Sequence, residues 1–302
     1  MRAKMALVPL VAVLALAGCA SSGDPASEGE PAVDAPVGED APLYDLLPDE
    51  IKEAGVITMA GDTHPPYRTI EEDGSFTGID PDLQAALAEQ LGVEFEIVTS
   101  SGLDAMLTGM LSGRYDAFNG PVRATPEREA DFDAVVWMTT RTSYVFPADR
   151  ADDFPDSEAV CGQRVAGVVG SVTETQLQRL DEWCIGEGLE PTEFVGLEDT
   201  NSTILALNSG RADLVGTTQA SAIDLLATQQ DTYDYVMQTD EQGAGVDLLA
   251  MFMPKDSGLA EPMLAAFEAI FDNGRYAEIM ADYDIEDAQI DAPVLNPNTS
   301  GK

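Results

Sequence analysis

The run Ser-Gly-Arg-x-Asp occurs twice, at 112–116 (SGRYD) and 209–213 (SGRAD), each time closing an apolar helical stretch and opening a short apolar strand. The segments beyond the two copies differ, FNGPVRATPER after the first and LVGTTQASA after the second. Open α/β sheets bind ligands just past the carboxyl ends of their strands, so binding chemistry is expected in these two loops. Groups suited to bond making are scarce. The chain has 1 histidine, His64, followed by Pro65. It carries no nucleophile elbow and no CxxC metal spacing, so recognition fits these residues better than catalysis.

Composition narrows the partners. The 302 residues hold 55 acids against 15 bases, a formal charge of -40. Binding to nucleic acid or to an anionic membrane by charge needs basic patches, and such an excess of acid excludes both. The acids are expected on a solvated surface, where salt screens their mutual repulsion.

Arg2 and Lys4 precede the apolar run 6–17, a secretory leader rather than a membrane span. The stretch Leu16-Ala17-Gly18-Cys19 resembles a bacterial lipobox, in which Cys19 is lipidated and becomes the mature amino terminus. From 20 to 50 there is no Lys or Arg, and Pro, Gly, Ser, Ala and acids dominate, so this stretch buries too little apolar surface to offset its entropy and reads as a leash. With Cys19 assigned to lipid, Cys161 and Cys184 are left, and an exported chain permits a disulfide between them. Two buried free thiols are the alternative.

The remainder suffices for two modest cores. Strands are expected at 56–60 and 95–98. A helix capped by Asp80-Pro81 runs to Leu91 and ends at Gly92, and another covers 103–111. A second βα series begins near 142–146 and continues through 165–169, 173–183, 194–195 and 202–208. A long strand over 246–254 and helices over 259–271 and 275–283 close the chain. Alternating strands and helices predict an α/β fold, and the extended runs 141–147 and 246–253 flank the second unit as a double hinge would.

Taken in order, THPPY, DGSFTGIDPDL, SGRYDA, TPEREADF, CGQRVAGVVGSVTE, SGRAD and DNGRYAEIMADYDI resemble family 3 of the bacterial extracellular solute-binding proteins, the amino-acid type that serves ABC importers. The resemblance covers about 47 to 292. It implies a two-lobed, type II periplasmic-binding-protein-like fold with two hinge strands closing on a ligand. The chain would divide into a signal peptide (1–18), a lipid-anchored acidic linker (19–46), a first lobe (47–142 and 250–292), a second lobe (143–249) and a tail (293–302).

The resemblance also nominates the site. In TPER, Arg128 matches the arginine that holds the ligand's α-carboxylate, which a planar guanidinium can grip through both oxygens. His64 stands where relatives carry a stacking aromatic residue, and Leu103 where many have a second aromatic wall, so the usual sandwich is weaker here. Pro121 and Arg123 replace small or hydroxyl residues of the family. Pro121 still offers a carbonyl, and Arg123 either faces solvent or adds positive charge to the cleft. Ser171, Val172 and Thr173 occupy a strand-to-helix turn whose amides could meet the same carboxylate. Five residues past Asp213 the family places an aspartate for the ligand's ammonium group. Here Thr218, preceded by Thr217, stands there, so another acid substitutes or the ligand is not an ordinary α-amino acid.

The resemblance implies a non-enzymatic, monomeric receptor on the outer face of the cell membrane, tethered by lipid alone, passing an amino acid or related small carboxylate to ABC permease subunits. No cofactor or metal is called for. Two alternatives stand beside it: a ligand sensor for a membrane receptor, and a cyclic-acid dehydratase of the same fold, which would need a carboxylate that Thr218 does not supply.

Overall fold

The computed structural model describes residues 38–100, 102–229, 231–244 and 247–299. The leader, Cys19 and the leash up to residue 37 lie outside the described residues.

In chain order, α1 (Asp49–Ala54) leads to β1 (Val56–Gly61). The hairpin of β2 (Thr69–Ile70) and β3 (Phe76–Thr77) precedes α2 (Ile79–Leu91), β4 (Glu94–Thr99), α3 (Leu103–Leu111) and β5 (Ala117–Phe118). A short α4 (Arg128–Asp131) opens β6 (Phe132–Thr140), and Arg141 separates it from β7 (Thr142–Pro147). Next come β8 (Arg164–Val168), α5 (Val172–Gly186), β9 (Glu193–Leu197), α6 (Thr200–Asn208), β10 (Leu214–Thr218), α7 (Gln219–Thr228) and β11 (Tyr233–Met237). The chain ends with β12 (Asp247–Pro254), α8 (Ala260–Asp272), α9 (Arg275–Asp282) and β13 (Val294–Leu295).

These strands form one sheet per lobe. The first has the order β13-β6-β12-β5-β1-β4 and the second β11-β7-β10-β8-β9. Within each, one strand is central to the parallel part: β1 lies between β4 and β5, and β8 between β9 and β10. An antiparallel strand, β12 or β7, then flanks β5 or β10. The chain therefore crosses between sheets at Arg141 and again between β11 and β12. Each sheet is covered on both faces. Leu83, Leu87 and Phe267 pack on one side of the first sheet, and Met106 and Met110 join Phe118 and Phe252 on the other. In the second, α5 supplies Leu177 and Leu180 to one face, while Ala206, Leu207 and Ala222 fill the other.

The twin motif does the same work in both sheets. The amide of Asp116 donates to the Thr58 carbonyl and its carboxylate accepts from the Thr58 amide, both at 2.8 Å. Asp213 repeats this on Arg164 at 2.8 and 3.2 Å, with the Arg164 side chain added at 2.9 Å. Each aspartate thus fixes its loop against the central strand.

Several expectations shift. Asp80 does not cap α2. Gly78 holds that position, and Asp80 lies fully buried in the second residue of the helix, where a charge-pairing partner has claimed it. The stretch 38–46, read from sequence as leash, packs: Gly38 donates to Gly92 O at 2.9 Å, Leu43 to Gln90 O at 2.9 Å, and Ala41 is buried. The stretch after residue 292, read as tail, adds β13 to the edge of β6. Its Asn298 and Thr299 donate to the buried carboxylate of Glu129 on α4.

Cys161 and Cys184 form a disulfide joining the approach to β8 with the end of α5, across a sequence separation of 23. A loop of that size contributes about 3 kcal/mol on the chain-entropy view. Reduction by dithiothreitol, or Cys161→Ser with Cys184→Ser, is expected to lower the melting temperature by roughly 6 to 12 °C. An unchanged thermal melt would contradict this.

Candidate functional site

Between the sheets, at the carboxyl ends of β1, β5, β8 and β10, lies a cavity of about 60 Å³. Of the residues nominated from sequence, His64, Leu103 and Pro121 line it from the first lobe, and Ser171, Val172, Thr173, Thr217 and Thr218 from the second. Leu103 opens α3 and Pro121 lies just past β5. Ser171 is the N-cap of α5, accepting from the Glu174 amide, so its neighbours bring first-turn amides that lack intrahelical acceptors to the cavity edge. These amides share the cavity with an apolar set, Leu103, Met106, Phe118 and Val122.

Arg128 stands beside this cavity rather than in its lining. Its Nη1 donates to Arg123 O at 2.8 Å and its Nη2 reaches across to Gly170 O, at the approach to α5, at 2.9 Å. Burial, then the charge of Arg123, holds its guanidinium below the usual arginine value. Two further bonds cross the cleft: Ser221 Oγ donates to Pro65 O at 2.8 Å, and His64 Nδ1 meets Thr200 Oγ1 at 3.1 Å.

Arg123 is neither in solvent nor in the cavity, the two placements expected from sequence. Its Nη1 pairs with Asp247 Oδ1 at 3.1 Å, because that carboxylate is 5% exposed and requires counter-charge. Arg179 supplies a second cation to Asp247 at 3.0 Å, and Gln176 Nε2 donates to the same group. Gln176 also accepts from the Thr142 amide at 2.6 Å and donates to Thr140 O at 3.4 Å. Asp247 sits opposite Thr140 in the β12 to β6 ladder. Both interlobe crossings are therefore pinned to α5, whose first turn walls the cavity.

Thr218 explains its own identity. It is the N-cap of α7, accepting from the Ser221 amide at 3.2 Å and donating to Ser221 Oγ at 3.1 Å, and it is 2% exposed. Its hydroxyl is committed to the helix terminus.

The floor of the cavity was not foreseen. Arg68, buried yet lining the cavity, donates to the Asp80 carboxylate, to Asn119 O at 2.6 Å and to Asp62 Oδ1 at 2.8 Å. Asn119 Nδ2 donates to Asp80 Oδ1 at 2.9 Å, and Trp137 Nε1 to Asn119 Oδ1 at 2.9 Å. Burial raises the Asp80 carboxyl to about 6 against the pull of Arg68, leaving it charged at neutral pH. The sequence did hold a clue, an arginine directly after THPPY with a buried aspartate twelve residues on. Only the fold brings them together.

Among the described residues no group of three or more His, Cys, Asp or Glu side chains is placed to hold a metal ion, and no helix is long and apolar enough to cross a membrane.

Residues 56–285 match the family described as bacterial extracellular solute-binding proteins, family 3. The arginine-binding protein ArgT of Corynebacterium glutamicum is 27% identical over 253 residues, 83% of this chain and 81% of that protein. Among solved structures, an amino acid ABC transporter substrate-binding protein of Streptococcus pneumoniae bound to L-arginine is similar at a TM-score of 0.65 and 20% identity, over 83% of this chain and 100% of the other. An ancestral amino-acid-binding protein, a precursor of cyclohexadienyl dehydratase, is similar at a TM-score of 0.64 and 22% identity, over 80% of this chain and 99% of the other.

The His64 ring titrates abnormally. Desolvation lowers it from 6.5 to about 4, with Asp62 opposing and Arg68 assisting. A depressed histidine stabilises fully above pH 6.5 and loses that contribution as pH falls toward 4. The raised Asp80 runs the other way, its contribution full below 3.8 and lost as pH rises through about 6. In His64→Gln the Asp80 effect remains and the histidine effect is gone. The melting-temperature difference between wild type and variant is therefore expected to shrink from about pH 6.5 to about pH 4.5. A constant or widening difference would refute the assignment.

Proposed function

The chain belongs to the bacterial extracellular solute-binding proteins, family 3, and from that premise we propose that it is a lipid-anchored receptor of an ABC importer, capturing an amino acid or related small carboxylate between its lobes and delivering it to the permease. The observation that carries this reading is Arg128. Its guanidinium spans the cleft edge, one nitrogen bonded within the first lobe and another to Gly170 O beside the first turn of α5. A ligand carboxylate taking the place of that carbonyl would be gripped by the guanidinium and by helix-terminal amides together. Binding would then hold the lobes closed about the two crossings, a hinge mechanism.

On this reading the first lobe takes in 38–140 and 247–299, since β12 and β13 pair within its sheet, and the second runs from Thr142, whose strand joins the other sheet, to residue 244, moving the bounds expected from sequence (47–142 with 250–292, and 143–249). Cys19 would carry the lipid, with the acidic stretch behind it as spacer, and the chain would act as a monomer. No bond is made or broken in the ligand. The residues around the cavity support binding rather than turnover, since Thr218 offers no proton and Asp199, a helix cap, accepts from the Ser202 amide and hydroxyl.

Arg128→Ala tests the anchor. Charge-assisted bonds contribute about 1.5 to 3 kcal/mol each, so loss of a bidentate grip is expected to weaken binding by at least about 100-fold. In a thermal-shift and calorimetric screen against amino acids and organic acids, the wild type should respond to at least one acid and the variant to none, with unchanged circular dichroism. Retained affinity in the folded variant would sink the carboxylate assignment.

A further inference from the structure

We propose that Arg68 sets the ligand class: it fills the cation position of the cleft from within, so that the ligand is a small carboxylate whose side chain bears no positive charge. This rests on the carboxylate reading of the cleft and narrows it.

The site around Arg68 is built. The residue is 1% exposed, and its Nε donates to Asp62 O at 3.1 Å while its two terminal nitrogens serve Asp62, Asp80 and Asn119. The guanidinium carbon lies 5.6 Å from the centroid of Phe118, in reach of the ring's quadrupole. Two glycines clear its berth. A Cβ on Gly61 would stand 3.2 Å from Arg68 Cδ and Nε, and one on Gly120, whose φ is +157°, would stand 3.3 Å from Nη1. Gly61 ends β1 and Gly120 lies two residues past β5, so neither backbone carries a side chain where this arginine passes.

A desolvated cation needs a carboxylate that is itself out of water and unpaired, and of the acids lining the cavity the two that are not exposed are already engaged. Three acidic residues line it. Asp62 is bound by Arg68 at 2.8 Å. Asp199 accepts from Ser202 N and Ser202 Oγ, one on each oxygen and both at 2.8 Å. Glu198 is exposed, where water screens its charge. An arginine or lysine side chain entering would have to compete with Arg68 for Asp62. Leu103, Met106 and Val122 also line the cavity, an apolar surface suited to a short uncharged chain.

The full-length protein would be titrated calorimetrically with L-alanine, L-serine, L-threonine, L-lactate, L-arginine, L-lysine and agmatine. The expected result is binding of at least one uncharged-chain acid, with L-arginine and L-lysine at least tenfold weaker. Tightest binding by L-arginine or L-lysine overturns this proposal alone; binding by none of the acids overturns the carboxylate reading and this one with it. The double variant Arg68→Met with Asp80→Asn removes one charge of each sign, leaves the net charge of the floor unchanged and frees Asp62, so L-arginine is expected to gain at least tenfold. No gain in a folded double variant counts against the proposal. Arg68→Lys retains the charge and should still exclude L-arginine, so a gain there also refutes it.

Discussion

Asp247 is the constraint on which the cleft depends. A carboxylate this deeply buried is tolerable only when paired and hydrogen-bonded, and losing one partner of such a group costs about 3 to 5 kcal/mol. Arg123, Arg179 and Gln176 meet that need together. Each comes from a different part of the site: the loop after β5, the middle of α5, and the same helix nearer its cavity end. Gln176 then ties Thr140 and Thr142, on either side of the first crossing, to Asp247 at the start of the second. Any rotation of one lobe on the other is thereby coupled to the helix whose first turn lines the cavity.

The remaining polar side chains near the cleft divide along similar lines. Arg68, Asp80, Asn119 and Trp137 form a connected network under the cavity in which every donor has an acceptor, so the floor is rigid and its charges are mutually held. Thr218 and Ser171 cap helices. A ligand is left with backbone amides, a neutral imidazole whose Nε2 has no partner among the described residues, and Arg128 at the edge. Of the great excess of acid, Glu198 alone reaches the cavity lining unpaired among the described residues, and it is exposed. The excess describes the surface.

The twin Ser-Gly-Arg-x-Asp runs mark equivalent positions in the two lobes, and Asp116 and Asp213 show why the motif recurs. Each needs an amide and a carboxylate on one residue of the central strand, and the glycine turn before it delivers both. The loops beyond can then diverge freely, because their starting points are fixed. That is how the first copy leads to Arg128 and the second to a helix cap.

By itself the sequence determined the two-lobed α/β plan, the helices and strands around both motifs, the cysteine pair as a disulfide candidate, and part of the cavity wall, from His64 to Thr218. Local periodicity and turn residues carry the helices and strands, because chain neighbours encode them, while the hinge plan and the cavity residues come through the family resemblance that the order of the motifs carries. It did not determine that Asp80 would leave its cap for Arg68, that Arg123 would turn to Asp247, or that Asn298 would fasten the helix bearing Arg128. Those choices join residues far apart in the chain, and burial decides them. Once a charge is removed from water its partner is whichever opposite charge the packing brings within reach, and only the tertiary structure says which that is.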